Sequence, residues 1–355
     1  MAAIIPGLAT YAPVIKVVRE TDQYCFPQEC IAGVEIQEHL KEPDSFQISF
    51  NDDVKISTPF RWLNDPAIRP GTIVTIDYGY SGSRMSRFLG KIQAINPSYT
   101  QTGMVILGIE GYDLSYDLKK TRKEFKDNNV KYSDIATEIA FKNNLGSSVT
   151  DSEQKHAKVE RKKNEKDYEF LARLAHIIEF EFFVRGKILY FRKPADRLWS
   201  DYTFEFRKNI ISFNPRFTTA TMANEVTVLA WDVGVKDRIA ETVTCAEIGS
   251  QLGISDISRI IEQSLGNPVQ IKLEGKVVRS REEARKIAVA ELKKRNECYI
   301  EGFLECIGDP SLHAGMTVNV LNVGDLFSGV YYIKSARHTL NESGYRTSLN
   351  LCRCL

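Results

Sequence analysis

Glu179 and Glu181 are the first residues whose type and spacing suggest chemistry, because a glycosidase works with two carboxylates flanking the scissile bond. On a strand, positions two apart share a face, so the same spacing also describes two solvent-facing acids alternating with core-facing Phe180 and Phe182. The alternation favours the second reading. Asp309, Ser311 and His313 supply the residue types of a nucleophilic triad. They lie, however, in Gly308-Asp309-Pro310-Ser311-Leu312, where Asp-Pro presets a turn and Gly308 and Gly315 supply backbone freedom. Cys352-x-Cys354 occurs alongside Cys306 and His338. Cysteines two apart on a strand share a face about 7 Å apart, too far for a local disulfide, and no second ligand pair has zinc spacing. The five histidines include no helical i,i+4 pair of the metalloprotease kind, and no glycine-rich loop ends in Gly-Lys-Ser/Thr. The expectation is a non-enzymatic protein with no catalytic, cofactor-binding or metal-ligating set.

The elements that would position such residues come from a chain of 355 residues. At roughly 150 residues per domain this is material for about two or three domains. Hydrophobic residues make up 43% and charged residues 26%, and 47 basic against 46 acidic residues leave a formal charge of +1, so neither disorder nor polyanion binding by bulk charge is indicated. The basic clusters Lys119-Lys120-Thr121-Arg122-Lys123, Arg161-Lys162-Lys163 and Lys293-Lys294-Arg295 contain no interleaved aromatic residue, so they read as solvated surface and no nucleic-acid partner is expected. Seven cysteines, an odd number spread over a long chain, read as reduced thiols. Pro6 and Pro13 break the apolar N-terminal run and no basic segment precedes it, so no signal peptide is expected. No window approaches ~20 apolar residues, so neither is membrane insertion.

Residues 30–113 show period-two alternation broken by turns: Phe46-x-Ile48-x-Phe50, Val74-x-Ile76-x-Tyr78, Phe88 to Ile95 and Val105 to Ile109. Residues 117–178 change to helical period. Ile135, Ala136, Ile139 and Ala140 follow a cap at Ser133, and Leu171, Leu174, Ala175 and Ile178 follow Asn164, with Asp167 at the third helical position. Two short aromatic strands then flank Arg185-Gly186. A second β-rich stretch begins near Phe204 and is interrupted from roughly 241 to 298 by helical patterns. Ser255 could cap one of them, and the other opens with the capping box Ser280-Arg281-Glu282-Glu283. Strands return at 299–355. The expected domains are a first β-barrel at 1–113, an α+β insertion at 114–205, a second β-barrel at 206–240 and 299–355, and a helical or α+β excursion at 241–298.

The two β parts echo each other. Gly71-x-x-Val74-x-Ile76, Phe88-x-Gly90 and Leu107-x-Ile109 are followed in the same order by Gly315-x-x-Val318-x-Val320, Phe327-x-Gly329 and Leu349-x-Leu351. The spacings differ only between these segments, where turns tolerate insertion. The echo predicts a duplicated barrel with Gly90 and Gly329 at matched bends.

The run Gly308 to Val318, with Phe327-Ser328-Gly329-Val330-Tyr331-Tyr332-Ile333, His338 and Gly344-Tyr345-Arg346-Thr347, resembles the phage late control protein D family. Ser280 to Leu292, Asp167 to Ala175 and Phe213-x-Pro215-Arg216 agree with it, so the resemblance covers about residues 30–353. One departure is Glu179, where that family's helix-to-strand junction has glycine, which leaves the left-handed helix end in doubt.

The resemblance implies a mainly β fold with α+β insertions: two related, tail-tube-like β-barrels joined by small α/β domains, as in the N-terminal hub part of VgrG spike proteins of type VI secretion. It also implies a structural baseplate hub, a homotrimer adapting a sixfold inner tube to a threefold central spike. Its partners would be copies of itself, a separate spike protein, the inner tube or its initiator, and other baseplate proteins. The second barrel's last strand lies close to Leu355, which is why the spike is expected to be a separate chain. Assembly is expected in the bacterial cytoplasm, with the product part of a virion tail or injection-system baseplate. A hub-associated cell-wall hydrolase and a β-rich carbohydrate- or cargo-binding module are the alternatives.

Overall fold

The computed structural model describes residues 12–52, 60–82, 84–101, 105–194, 200, 202–220, 222–232, 237–247, 269–278, 281–296 and 298–353. The signal-peptide reading, Ser255, Ser280 and Cys354 therefore fall wholly or largely outside the described residues.

Alternating apolar residues build the first lobe from β1 (Pro13–Arg19), β2 (Tyr24–Cys25), β3 (Ile31–His39), β4 (Ser45–Asn51), β5 (Ile73–Tyr80), β6 (Met85–Tyr99) and β7 (Val105–Asp113). Phe46, Ile48 and Phe50 turn inward on β4, as their period predicts, and meet Val74, Ile76, Phe88, Leu107 and Ile109 in one core. A short helix α1 (Ser115–Leu118) leads into the insertion, which holds β8 (Asn128–Val130), α2 (Tyr132–Lys142), β9 (Gly146–Val149), β10 (His156–Lys158), α3 (Asp167–Ile177), β11 (Glu181–Arg185) and β12 (Ile188–Arg192). Then come β13 (Tyr202–Glu205) and β14 (Ser212–Phe217). A separate three-stranded sheet of β15 (Glu225–Asp232), β16 (Asp237–Thr244) and β17 (Gln270–Val278) follows, and α4 (Arg281–Arg295) buries Ala284, Ala288 and Leu292 in the same core as Val226 and Val228 of β15. The chain ends in β18 (Ile300–Ile307), β19 (Thr317–Leu321), β20 (Gly329–Asn341) and β21 (Gly344–Arg353).

The expected two closed barrels are instead one open, thirteen-stranded sheet lying over two cores, with no closed ring of strands among the described residues. The two lobes join in one sheet through the length of β20. Its first half pairs with β19, from Thr317↔Tyr332 to Val320↔Gly329, and its second half pairs with β3, from Ser335↔His39 to Asn341↔Gly33. β20 therefore continues the sheet from the second lobe into the first.

Both lobes use one strand order. β1-β5-β6-β7-β4-β3 in the first corresponds to β13-β19-β20-β21-β18-β14 in the second, although β13 runs parallel to β19 where β1 runs antiparallel to β5. The Gly71 N–H bonds the Ile92 carbonyl at 2.8 Å and the Ile92 N–H bonds that of Thr72 at 2.9 Å; Gly315, Ile333 and Met316 repeat both bonds at 2.9 Å. A bulge follows Ile92 on β6 and Ile333 on β20. The echo Gly71-x-x-Val74 to Gly315-x-x-Val318 is thus in register, since Val74 pairs with Gly90 and Val318 with Tyr331. The Phe-x-Gly match is displaced by two residues: the position of Gly90 corresponds to Tyr331, and that of Phe88 to Gly329.

Three local details differ from expectation, and at one of them long-range contacts take the place of a local cap. Helix α2 begins at Tyr132, and the Asp134 carboxylate accepts the N–H of the preceding Lys131 at 3.2 Å, which places Ser133 inside the helix. Asp167 is the first residue of α3, fully buried, where it takes the Thr121 hydroxyl at 2.7 Å, the Lys123 N–H at 2.9 Å and the Arg161 guanidinium at 2.8 Å. At the other end Glu179 adopts φ 55°, with the Phe180 N–H on the Ala175 carbonyl at 2.8 Å, so the helix does have a left-handed end, built on glutamate.

Two stability changes follow. Gly90→Val would place Cβ 2.4 Å from the Phe46 ring and should cost about 1–3 kcal/mol by overpacking, read as a lower denaturant midpoint. Glu179→Gly should raise stability by about 0.5–1 kcal/mol, because glycine adopts the left-handed conformation without strain and the exposed Lys293 pair that is lost contributes little.

Candidate functional site: a buried glutamate and two histidines between the lobes

The alternation of β3 sends Val34, Ile36 and then Glu38 to its buried side, so a carboxylate stands where the pattern calls for an apolar residue. Opposite it, the turn between β18 and β19 brings in His313, and β20 brings in the fully buried His338. Among the described residues these three form the one group of metal-ligating types that converges, with potential ligand atoms within 4.8 Å of one another.

Glu38 Oε1 lies 2.9 Å from His313 Nδ1, Oε2 accepts the Ala314 N–H at 3.1 Å, and the Arg185 guanidinium is 3.6 Å away. His338 Nε2 lies 3.0 Å from the Leu312 carbonyl, which can only accept, so Nε2 carries the proton. Nδ1 is then an acceptor and meets the Tyr345 hydroxyl at 2.8 Å and that of Thr347 at 3.2 Å. Both ring nitrogens are engaged, so the cluster is a closed hydrogen-bond network and does not fit a cation, which needs open lone pairs. Burial alone would raise the Glu38 carboxyl, but the facing His313 and Arg185 hold it down at about 2. Burial pushes the His338 imidazole down to about 4 against the pull of Glu38.

Ser86 extends the line, with Oγ 3.4 Å from His313 Nε2. Serine, histidine and glutamate in series are the parts of an activated nucleophile, but the Ser86 hydroxyl donates to the Pro310 carbonyl at 2.5 Å and its proton is committed there. The arrangement fastens the turn 308–315 of the second lobe to the β5–β6 end of the first. Tyr80 adds a hydroxyl bond to the Gly308 carbonyl at 3.0 Å. Gly308 is required by close approach, since a Cβ there would lie 2.0 Å from the Tyr345 ring.

The residues singled out by sequence distribute as follows. Ser311 bonds Asp309 Oδ1 through both its N–H at 2.9 Å and its hydroxyl at 2.6 Å, an Asx turn, while His313 points away to Glu38. Gly71 and Gly315 hold φ of 100° and 84°, Phe88 is in the first core, and Phe327 packs against the second. Gly329, at φ 143°, lies under the Arg353 guanidinium. Tyr331 donates its hydroxyl to the Phe327 carbonyl at 2.6 Å, and Tyr332 is buried with Cys298 and Cys352. Glu283 is exposed at the start of α4. Glu181 is not solvent-facing as expected: its side chain is 10% exposed and lies 3.8 Å from Arg192, whereas Glu179 is exposed beside Lys293, so the two acids do not converge. Cys306 bonds the Thr347 carbonyl at 3.5 Å, and burial raises its thiol to about 12, while Cys352 belongs to a different cluster. Of the site's principal residues, Glu38 was missed. Its signal was an acid in phase with Val34 and Ile36.

A groove of about 460 Å³ on the first lobe is lined by residues including Glu35, Gln37, Gln47, Gln93, Glu110 and Tyr112. Of its two aromatic residues Phe46 is buried and only Tyr112 is exposed, so among amides and acids it is a poor sugar platform. No helix among the described residues is long and apolar enough to cross a membrane.

The two lobes of one strand order, joined edge to edge, have the fold of phage tail proteins. The 43 kDa tail protein of prophage MuSo2 from Shewanella oneidensis superimposes with a TM-score of 0.76 at 15% identity, over 96% of this chain and 98% of that one. A tail protein from Neisseria meningitidis MC58 gives 0.70 at 15% identity over 97% of each chain. A chain of the Francisella PdpA-VgrG complex gives 0.57 at 10% identity over 96% of this chain and 57% of that one. No curated protein sequence matches the chain. Residues 22–342 match the Alg8 N-terminal domain family, and the chain belongs to that family.

The buried imidazole makes stability depend on pH with a definite sign. His338 titrates near 6.5 when unfolded and at about 4 when folded, so its contribution is complete above 6.5 and is lost as pH falls toward 4. Asp113, raised by burial to about 7, acts in the opposite sense over the same range and partly masks this in the natural protein. Comparison with His338→Gln isolates it: the destabilisation caused by the substitution should shrink by about 2–3 kcal/mol between pH 7.5 and 4.5 in denaturant titrations. An unchanged difference would mean that His338 is not held neutral.

Proposed function

We propose that the chain is a structural hub of a contractile tail or injection system. It would assemble as a homotrimer that adapts a sixfold inner tube, or the tube's initiator, to a threefold central spike, in contact with other baseplate proteins. The observation that carries this reading is the strand order used twice in one chain. Three copies would present six similar lobes around an axis, which is what a joint between sixfold and threefold partners needs. Similarity over almost the whole length of two tail proteins supports it. So does the formal charge of +1, which suits broad packed interfaces better than a steering field. The closed network between the lobes supports a non-enzymatic role. The reading keeps 1–113 and 206–240 with 299–355 as the two lobes, 114–205 as an insertion and 241–298 as an excursion, with cytoplasmic assembly.

Co-expression with the spike protein encoded nearby should yield a complex of three copies of this chain per spike by light scattering and electron microscopy. A complex that holds a single copy of this chain, or hydrolysis of purified peptidoglycan by the chain alone, would refute the hub reading.

A further inference from the structure

Among the strand edges that have no strand partner in the described residues, two match each other in pattern. β14 ends the thirteen-stranded sheet, bonded only to β18. The far half of β6, residues 93–99, is bonded to β7 on one side, while on the other the β5 ladder stops at Lys91. Their counterparts inside the chain are occupied. β14 stands in the second lobe where β3 stands in the first, the far half of β6 corresponds to the far half of β20, and β3 and β20 are bonded to each other.

We propose that β14 of one copy pairs antiparallel with the far half of β6 of a second copy, repeating between chains the ladder that β3 and β20 make within one. This rests on the trimeric reading above and supplies its contact. Two different edges meet, so the contact is heterologous; in the trimeric reading its rotation closes, and six lobes from three copies complete a ring.

The shared ladders set the register. Val34 pairs with Ile48 and Ile48 with Ile109; Phe213 pairs with Leu304 and Leu304 with Leu349. Ile109 and Leu349 in turn pair with Ile95 and Ala336, so Val34 corresponds to Phe213 and Ala336 to Ile95. The chain's own contacts Val34↔Leu340, Ile36↔His338 and Glu38↔Ala336 then become Phe213↔Tyr99, Pro215↔Pro97 and Phe217↔Ile95 between copies. The internal six are all buried. The external six are all apolar, yet Tyr99 is 61% exposed, Pro97 is exposed and the rest are half-buried. The alternate positions, Ser98 and Asn96 opposite Asn214 and Arg216, are polar on both strands, so the two edges agree face by face. Proline is tolerated on a sheet edge, and each edge carries one at the mutually facing position. The ladder therefore lacks hydrogen bonds across Pro97–Pro215 and holds through the flanking pairs, while neither edge readily recruits an unrelated strand.

The test is oxidative cross-linking of the full chain carrying Ser98→Cys with Asn214→Cys, alongside the unsubstituted chain and the slipped pair Asn96→Cys with Asn214→Cys. Linked dimers and trimers on a non-reducing gel are expected for the first, at several times the yield of the slipped pair. Tyr99→Lys should weaken self-association at least tenfold in sedimentation without lowering the melting temperature. A trimer that forms without the Ser98–Asn214 link, or links the slipped pair equally, overturns the edge pairing and leaves the trimeric reading intact. A chain that is monomeric alone and with the spike overturns both.

Discussion

The ladder between β3 and β20 is the contact on which the rest of the molecule depends. β20 supplies Leu340, and the strand after it Tyr345, to the core of the first lobe, although both belong to the last fifth of the chain. The first lobe therefore cannot bury its apolar surface until the end of the chain has been placed. Neither lobe is independent of the other, because one long strand is shared between them. Pairing of such distant segments carries a loop-closure cost that many local contacts must offset, and the folding of the two lobes is thereby coupled.

A buried carboxylate and two histidines at such a joint cost desolvation, and apolar residues of similar volume would often be as stabilising. What polar groups add is geometry. Glu38 can be satisfied only when His313 and the Ala314 N–H arrive together, and His338 only when Leu312, Tyr345 and Thr347 do. A slip of β20 along β3 would leave charges and donors unpaired in a dry interior. The network thus sets the register of the lobes, and the turn 308–315, fastened through Tyr80 and Ser86, sets their orientation.

The same physics bears on assembly. Where the sheet continues within the chain, its partner strand is covalently linked and a demanding polar network can be completed on every folding event. At the free edges the matched positions are apolar and interrupted by proline, a contact that tolerates solvent exposure before partners arrive.

Local pattern was legible wherever a residue's role depends on its neighbours in sequence. Period two on β4 and β5, helical period on α2 and α3, and the Asp309 turn could be read because inward and outward positions alternate at fixed intervals. The Gly71 and Gly315 echo was readable for the same reason, since only glycine readily takes a positive φ before a strand. Register and closure lay beyond it. The Phe-x-Gly match is displaced by two because strand pairing is decided by bonds to a partner distant in sequence, and the buried Asp167 at the start of α3 rests on partners distant in sequence. The sequence determined the strands, the turns and their repetition. Only the tertiary structure decided that β20 serves two lobes and that Glu38, His313 and His338 meet, because burial and pairing are properties of the packed chain.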